Sequence, residues 1–111
     1  MFNPSDIEAL DQYLDKEVVS LYQEQPLAQD WARLSKIAEE LGEALQAFIG
    51  ITGQNPRKGV YGSLDDVDNE LVDTALTAIL ALQHFTKDIK VTEQIINERM
   101  DYRKQKAGLS A

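Results

Sequence analysis

The chain has 111 residues, no cysteine, 43% hydrophobic residues and a formal net charge of −8 from 11 basic and 19 acidic side chains. That length suits one domain with one modest core. A monomer of this size buries only about two-thirds of its unfolded surface, so self-assembly would help it. The composition excludes a disulfide framework, thiolate metal sites and a disordered chain, and the acidity argues against a general nucleic-acid binder, which would repel a phosphate backbone.

Residues Met1–Asp6 show no basic stretch running into an apolar segment, so no secretory signal is read. The longest apolar-rich stretch, Leu71–Leu82, is too short to span a bilayer and contains Asp73. The expectation is a cytoplasmic protein without a membrane partner, formed by residues 1–111 as a single domain.

The pattern predicts an all-α chain of four helices. Ser5 with Glu8 three residues later has the spacing of a capping box, and Ile7, Leu10, Leu14 and Val18 follow at helical intervals. This first helix is expected to fade near Tyr22 and to end before Pro26. A second is expected from Gln29–Asp30, with Asp30 as N-cap. Trp31, Leu34, Ile37, Ala38, Leu41, Leu45 and Phe48 supply its apolar period, and Gly50 and Gly53 mark its end. The segment Ile51–Gly62 reads as a loop, with Arg57 and Lys58 between Pro56 and Gly59; a loop this long in a small domain is often functional. A third helix is expected from Ser63, paired with Asp66, to about Phe85. A fourth is expected from Asp88 to Lys104, carrying Val91, Ile95 and Met100. The tail, about residues 106–111, is expected to fray.

Two acidic clusters carry the chemistry. The first is Glu39-Glu40-Leu41-Gly42-Glu43 and the second Glu70-Leu71-Val72-Asp73. At about 100° per residue, Glu39 and Glu43 lie about 40° apart on a helix, and Glu40 and Glu43 about 60° apart. Glu70 and Asp73 are similarly adjacent. Like charges this close repel unless a cation sits between them, and Mg²⁺ accepts hard oxygen ligands while keeping positions for water and phosphate. On its own the first cluster also fits the solvated face of an ordinary amphipathic helix. The third helix is apolar around its whole circumference, so Asp73 is expected to be enclosed. It would then be either a metal ligand or the partner of a Lys or Arg.

Other residues carry less. His84, the only histidine, has no evident base or nucleophile partner and is expected to be structural or exposed. No Glu-x-x-His pair is present, which argues against a di-iron bundle. Trp31 fits a core or interface aromatic better than a base-stacking platform. Arg57–Lys58 is either a solvated loop pair or a phosphate contact.

Glu39-Glu40-x-x-Glu43, 26 intervening residues and then Glu70-x-x-Asp73 resembles the signature of MazG-like nucleotide pyrophosphohydrolases. These belong to an all-α NTP pyrophosphatase group that also includes dimeric dUTPases. The stretch from Trp31 to about Phe85, with KIAEELGEALQAFIGITGQNPRKG and ELVDTALTAILAL, is similar to short stand-alone proteins of that kind. The resemblance implies a four-helix-bundle-like protomer that assembles into a homodimer or homotetramer. It implies Mg²⁺-dependent hydrolysis of a nucleoside triphosphate between its α- and β-phosphates, with Mn²⁺ as a substitute cation. Glu40, Glu43, Glu70 and Asp73 match the metal ligands. Glu39, with Glu43, matches the acids that orient the attacking water. Asn97 and Arg103 match a basic, Asn-containing element of the last helix, and Arg57, Lys58 and Arg103 are the groups available for the leaving pyrophosphate. The competing expectations are a non-catalytic helical module that dimerises or binds a nucleotide, and an enzyme of the same fold acting on another pyrophosphate-containing metabolite.

Overall fold

A computed structural model describes residues 3–22 and 26–109, with side chains described at 3–16 and 27–109. Four helices follow in order: α1 (Pro4–Tyr22), α2 (Pro26–Thr52), α3 (Leu64–Thr86) and α4 (Ile89–Lys106). No strand occurs among the described residues.

The helix ends follow local chemistry, and two starts differ from expectation. Asn3, not Ser5, precedes the first turn: its side-chain oxygen accepts from the Ser5 amide at 3.0 Å and the Ser5 hydroxyl at 2.9 Å. Pro4 then occupies the first helical position, where a missing N–H costs nothing and a fixed φ helps. Pro26 likewise opens α2, so Asp30 is not an N-cap but lies inside the helix. Val18 belongs to α1, but its side chain lies outside the described residues. Ser63 caps α3, and the Asp66 carboxylate accepts from the Ser63 amide at 2.9 Å. Asp88 caps α4 by accepting from the Lys90 amide at 2.9 Å. Leu109 N–H reaches the Lys104 carbonyl at 2.8 Å and Gly108 N–H the Gln105 carbonyl at 3.1 Å, the double bond of a Schellman ending with Gly108 at φ 73°. Ser110 and Ala111 lie outside the described residues.

Helices α2 and α3 form the principal packed pair, and α1 lies mainly against α3. Lys87, left-handed at φ 59°, and Asp88 make the tight turn into α4. That turn is tied by a buried hydroxyl chain: Thr92 Oγ1 donates to Gln83 Oε1 at 2.6 Å and pairs with Thr86 Oγ1 at 2.6 Å. The loop between α2 and α3 is pinched shut where the Tyr61 amide donates to the Gly50 carbonyl at 2.9 Å. A Cβ on Gly50 would stand 2.7 Å from the Tyr61 ring, so only glycine permits that approach.

The sidedness of α2 is the reverse of what its apolar period suggests. The seam toward the other helices carries Arg33, Glu40, Ala44 and Gly50, while Trp31, Leu34, Leu41, Leu45 and Phe48 face outward and are exposed. On α3, Leu71, Val72, Asp73, Ala75 and Ala78 are exposed as well, which corrects the expectation that this helix is enclosed all round. The radius of gyration is 17.1 Å, against about 13 Å for a compact domain of this length.

Candidate metal centre

Glu40 and Glu43 lie three residues apart on α2, and Glu70 lies in the first half of α3 across the hairpin. Each offers one carboxylate oxygen within 4.8 Å of the other two. Thr74 fixes the local backbone of α3 by donating its hydroxyl to the Glu70 carbonyl at 2.7 Å. Glu40 points into the interhelical seam with its side chain 14% exposed. Glu70 is half-buried, and its Oε2 is buried without a hydrogen-bond partner.

The electrostatics of this group are strained. Desolvation holds the Glu40 carboxyl above the ordinary glutamate range, and the charges of Glu43 and Asp73 push the same way, while Lys36 opposes them. Lys36 bridges Glu39 Oε1 at 3.0 Å and Glu40 Oε1 at 3.7 Å. Its ammonium is held above its ordinary range, first by the hydrogen bond to Glu39. Three converging carboxylates and an orphaned buried oxygen fit a hard divalent cation such as Mg²⁺ or Mn²⁺: the donors are all oxygen, and the cation would supply the missing partner.

The sequence-derived residues divide into those gathered here and those that are not. Glu40, Glu43 and Glu70 come together. Asp73 is exposed but close enough for its charge to act on Glu40. Glu39 turns to solvent and pairs with Lys36. Arg57 and Lys58 are exposed in the loop, where the Asn55 side chain accepts from the Arg57 amide at 3.2 Å. Asn97 is exposed on α4, at the rim of an apolar groove shared with Ile7, Ile79, Ile89 and Ile96. Arg103 lines a second groove with Leu82, Ile95 and Met100. Neither groove contains any of the clustered carboxylates.

A second polar cluster escaped the sequence reading. Arg33 on α2 is buried, and its Nη2 donates to Asp11 Oδ1 at 2.7 Å, to the Asp11 carbonyl at 2.9 Å and to Asp15 Oδ1 at 2.9 Å. His84, also buried, sets Nε2 2.8 Å from Asp30 Oδ1 and Nδ1 3.5 Å from Asp15 Oδ1. Burial pushes the Asp11 carboxyl above its ordinary range, and the Arg33 charge pulls it back. The one available signal was Asp11 and Asp15 four apart on a helix, a pair that resembles any solvated acidic face. No helix among the described residues is long and apolar enough to cross a membrane. Comparison with protein-family models, with curated proteins and with solved structures gave no match.

Proposed function

We propose that this protein is a Mg²⁺-dependent nucleoside triphosphate pyrophosphohydrolase that cleaves between the α- and β-phosphates and releases a nucleoside monophosphate and pyrophosphate. The observation that carries this reading is the convergence of Glu40 and Glu43 from one helix with Glu70 from the next, around a buried oxygen of Glu70 that has no partner. The resemblance of the Glu-Glu-x-x-Glu and Glu-x-x-Asp pair to MazG-like enzymes supports it. In this reading Glu40, Glu43, Glu70 and Asp73 hold the cation, and Glu43 and Glu39 orient the attacking water; for Glu39 this requires release of Lys36. Bound there, Mg²⁺ supplies charge neutralisation of the triphosphate and a lowered pKa for its water. Lys36 is the cation nearest the cluster among the described residues, with Arg57, Lys58 and Arg103 as further partners for the leaving pyrophosphate and Asn97 as a substrate contact. None of those four is ion-paired or hydrogen-bonded to the carboxylates among the described residues, whereas Lys36 is paired with Glu40. The proposal therefore includes a homodimer or homotetramer, which the outward apolar seam of α2 supports. The same exposed seam favours the second reading, a non-catalytic helical module that dimerises or binds a nucleotide.

Incubation of the protein with Mg²⁺ and a panel of nucleoside triphosphates and other pyrophosphate-containing metabolites tests the proposal. Monophosphate and pyrophosphate should appear, and Glu43→Gln should lose turnover by orders of magnitude. Absence of both products from every substrate, with assembly intact, would leave the non-catalytic module standing.

A further inference from the structure

His84 is buried where three helices meet, with one ring nitrogen toward each of two neighbouring helices. Nε2 lies 2.8 Å from Asp30 Oδ1 on α2, and Nδ1 lies 3.5 Å from Asp15 Oδ1 on α1. Nδ1 is buried and has no hydrogen-bond partner. A neutral imidazole carries one N–H. If Nε2 donates that proton to Asp30, Nδ1 turns a lone pair toward a carboxylate oxygen. That contact becomes attractive only when Nδ1 is protonated too.

The described charged groups bonded to one another here are Asp11 and Asp15 from α1, and Asp30 and Arg33 from α2, around His84 itself. Asp11 and Asp15 pair with the Arg33 guanidinium, whereas Asp30 pairs with His84. A divalent cation on Asp11, Asp15 and His84 is the obvious competitor, since their ligand atoms also converge. Arg33 Nη2, however, already stands 2.7 Å from Asp11 Oδ1 and 2.9 Å from Asp15 Oδ1, where such a cation would have to sit.

We propose that His84 is a proton-operated latch joining three helices. As the imidazolium it donates from Nδ1 to Asp15 and from Nε2 to Asp30, fastening α1 to the α2–α3 pair. As the neutral ring it keeps one bridge and loosens α1. The fastened state is that of the doubly protonated ring and the loosened state that of the neutral ring. Arg33 ties α1 to α2 in both, so the latch tunes the hold on α1 and does not create it.

Because the chain has one histidine, its ring signals in a ¹H–¹⁵N spectrum need no assignment by mutation. On acidification both ring nitrogens should move to imidazolium positions, with the Nδ1 proton protected from exchange. Asp15→Asn should lower the thermal midpoint by about 4 °C more at about pH 5.5 than at about pH 8.5. His84→Gln, if it folds, should show the same widening. A deficit for Asp15→Asn that is equal at both pH values would overturn the latch. So would His84 resonances that respond to added Zn²⁺ at constant pH while ignoring pH itself.

Discussion

Leu45→Glu separates a lone chain from an assembled one. Leu45 is 56% exposed on the outward face of α2. In a monomer its replacement is an ordinary surface change, worth within about 0.5 kcal/mol either way. The accessible surface is 8312 Å², whereas a compact monomer of 12.5 kDa is expected to show about 6,200 Å². The surplus is about 2,100 Å² per chain, and two copies covering it would bury about twice that, within the range of obligate homodimers. A glutamate carried into such an interface costs about 2 kcal/mol per copy, or about 4 kcal/mol per dimer, which is about a thousandfold in the dissociation constant. Sedimentation equilibrium over about a hundredfold range of concentration reads this directly, with thermal midpoints measured alongside, since an obligate dimer melts higher when concentrated. Wild-type protein that sediments as a 12.5 kDa monomer throughout, or a Leu45→Glu variant that assembles unchanged, would refute the reasoning.

Mg²⁺ at about a hundred times its dissociation constant should stabilise the wild type by about 2.7 kcal/mol, and Glu70→Gln should lose most of that gain; equal gains by calorimetry would remove Glu70 from the ligand set. Glu40 has its carboxyl pushed up in the folded state, first by desolvation, so its contribution to stability is full below the ordinary glutamate range and is lost as pH rises through the raised value. Without divalent cations, Glu40→Gln should therefore be more stable than wild type at neutral pH, with the advantage disappearing in acid; a denaturant midpoint that is unchanged or lower at neutral pH would contradict the sign. Arg33→Ala leaves Asp11 buried beside Asp15 and should cost about 3–5 kcal/mol by chemical denaturation, with a loss under 1 kcal/mol counting against the buried pair. Gly50→Ala drives a methyl into the Tyr61 ring and should cost about 1–3 kcal/mol; a neutral result would show that the loop shifts freely.

The helices were legible because their ends carry their own signals: Ser63 with Asp66, Asp88 ahead of α4, Gly53 after α2. The starts of α1 and α2 were misplaced because Ser5 and Asp30 are good caps by type, yet Pro4 and Pro26 fit the first helical position better. The acidic group was legible in part, since spacing alone puts Glu40 beside Glu43. Which acids turn inward was not legible. On α2, the positions of Arg33, Glu40 and Ala44 and those of Trp31, Leu34, Leu41, Leu45 and Phe48 both repeat at helical intervals, and periodicity does not say which stripe meets α3. The cluster of Asp11, Arg33 and His84 joins residues far apart in the chain, and nothing local in the sequence brings an acid at position 30 to a histidine at position 84.

The clasp between Gly50 and Tyr61 has a consequence for Arg57 and Lys58. It closes the intervening segment into a handle whose two ends meet at the top of the hairpin, with Gly53 folded against Val60 just inside. The cross-tie thus stands between the tip and the part of the hairpin that carries Glu43 and Glu70. A change in length or charge at the tip should therefore leave the spacing of Glu40, Glu43 and Glu70 as it is.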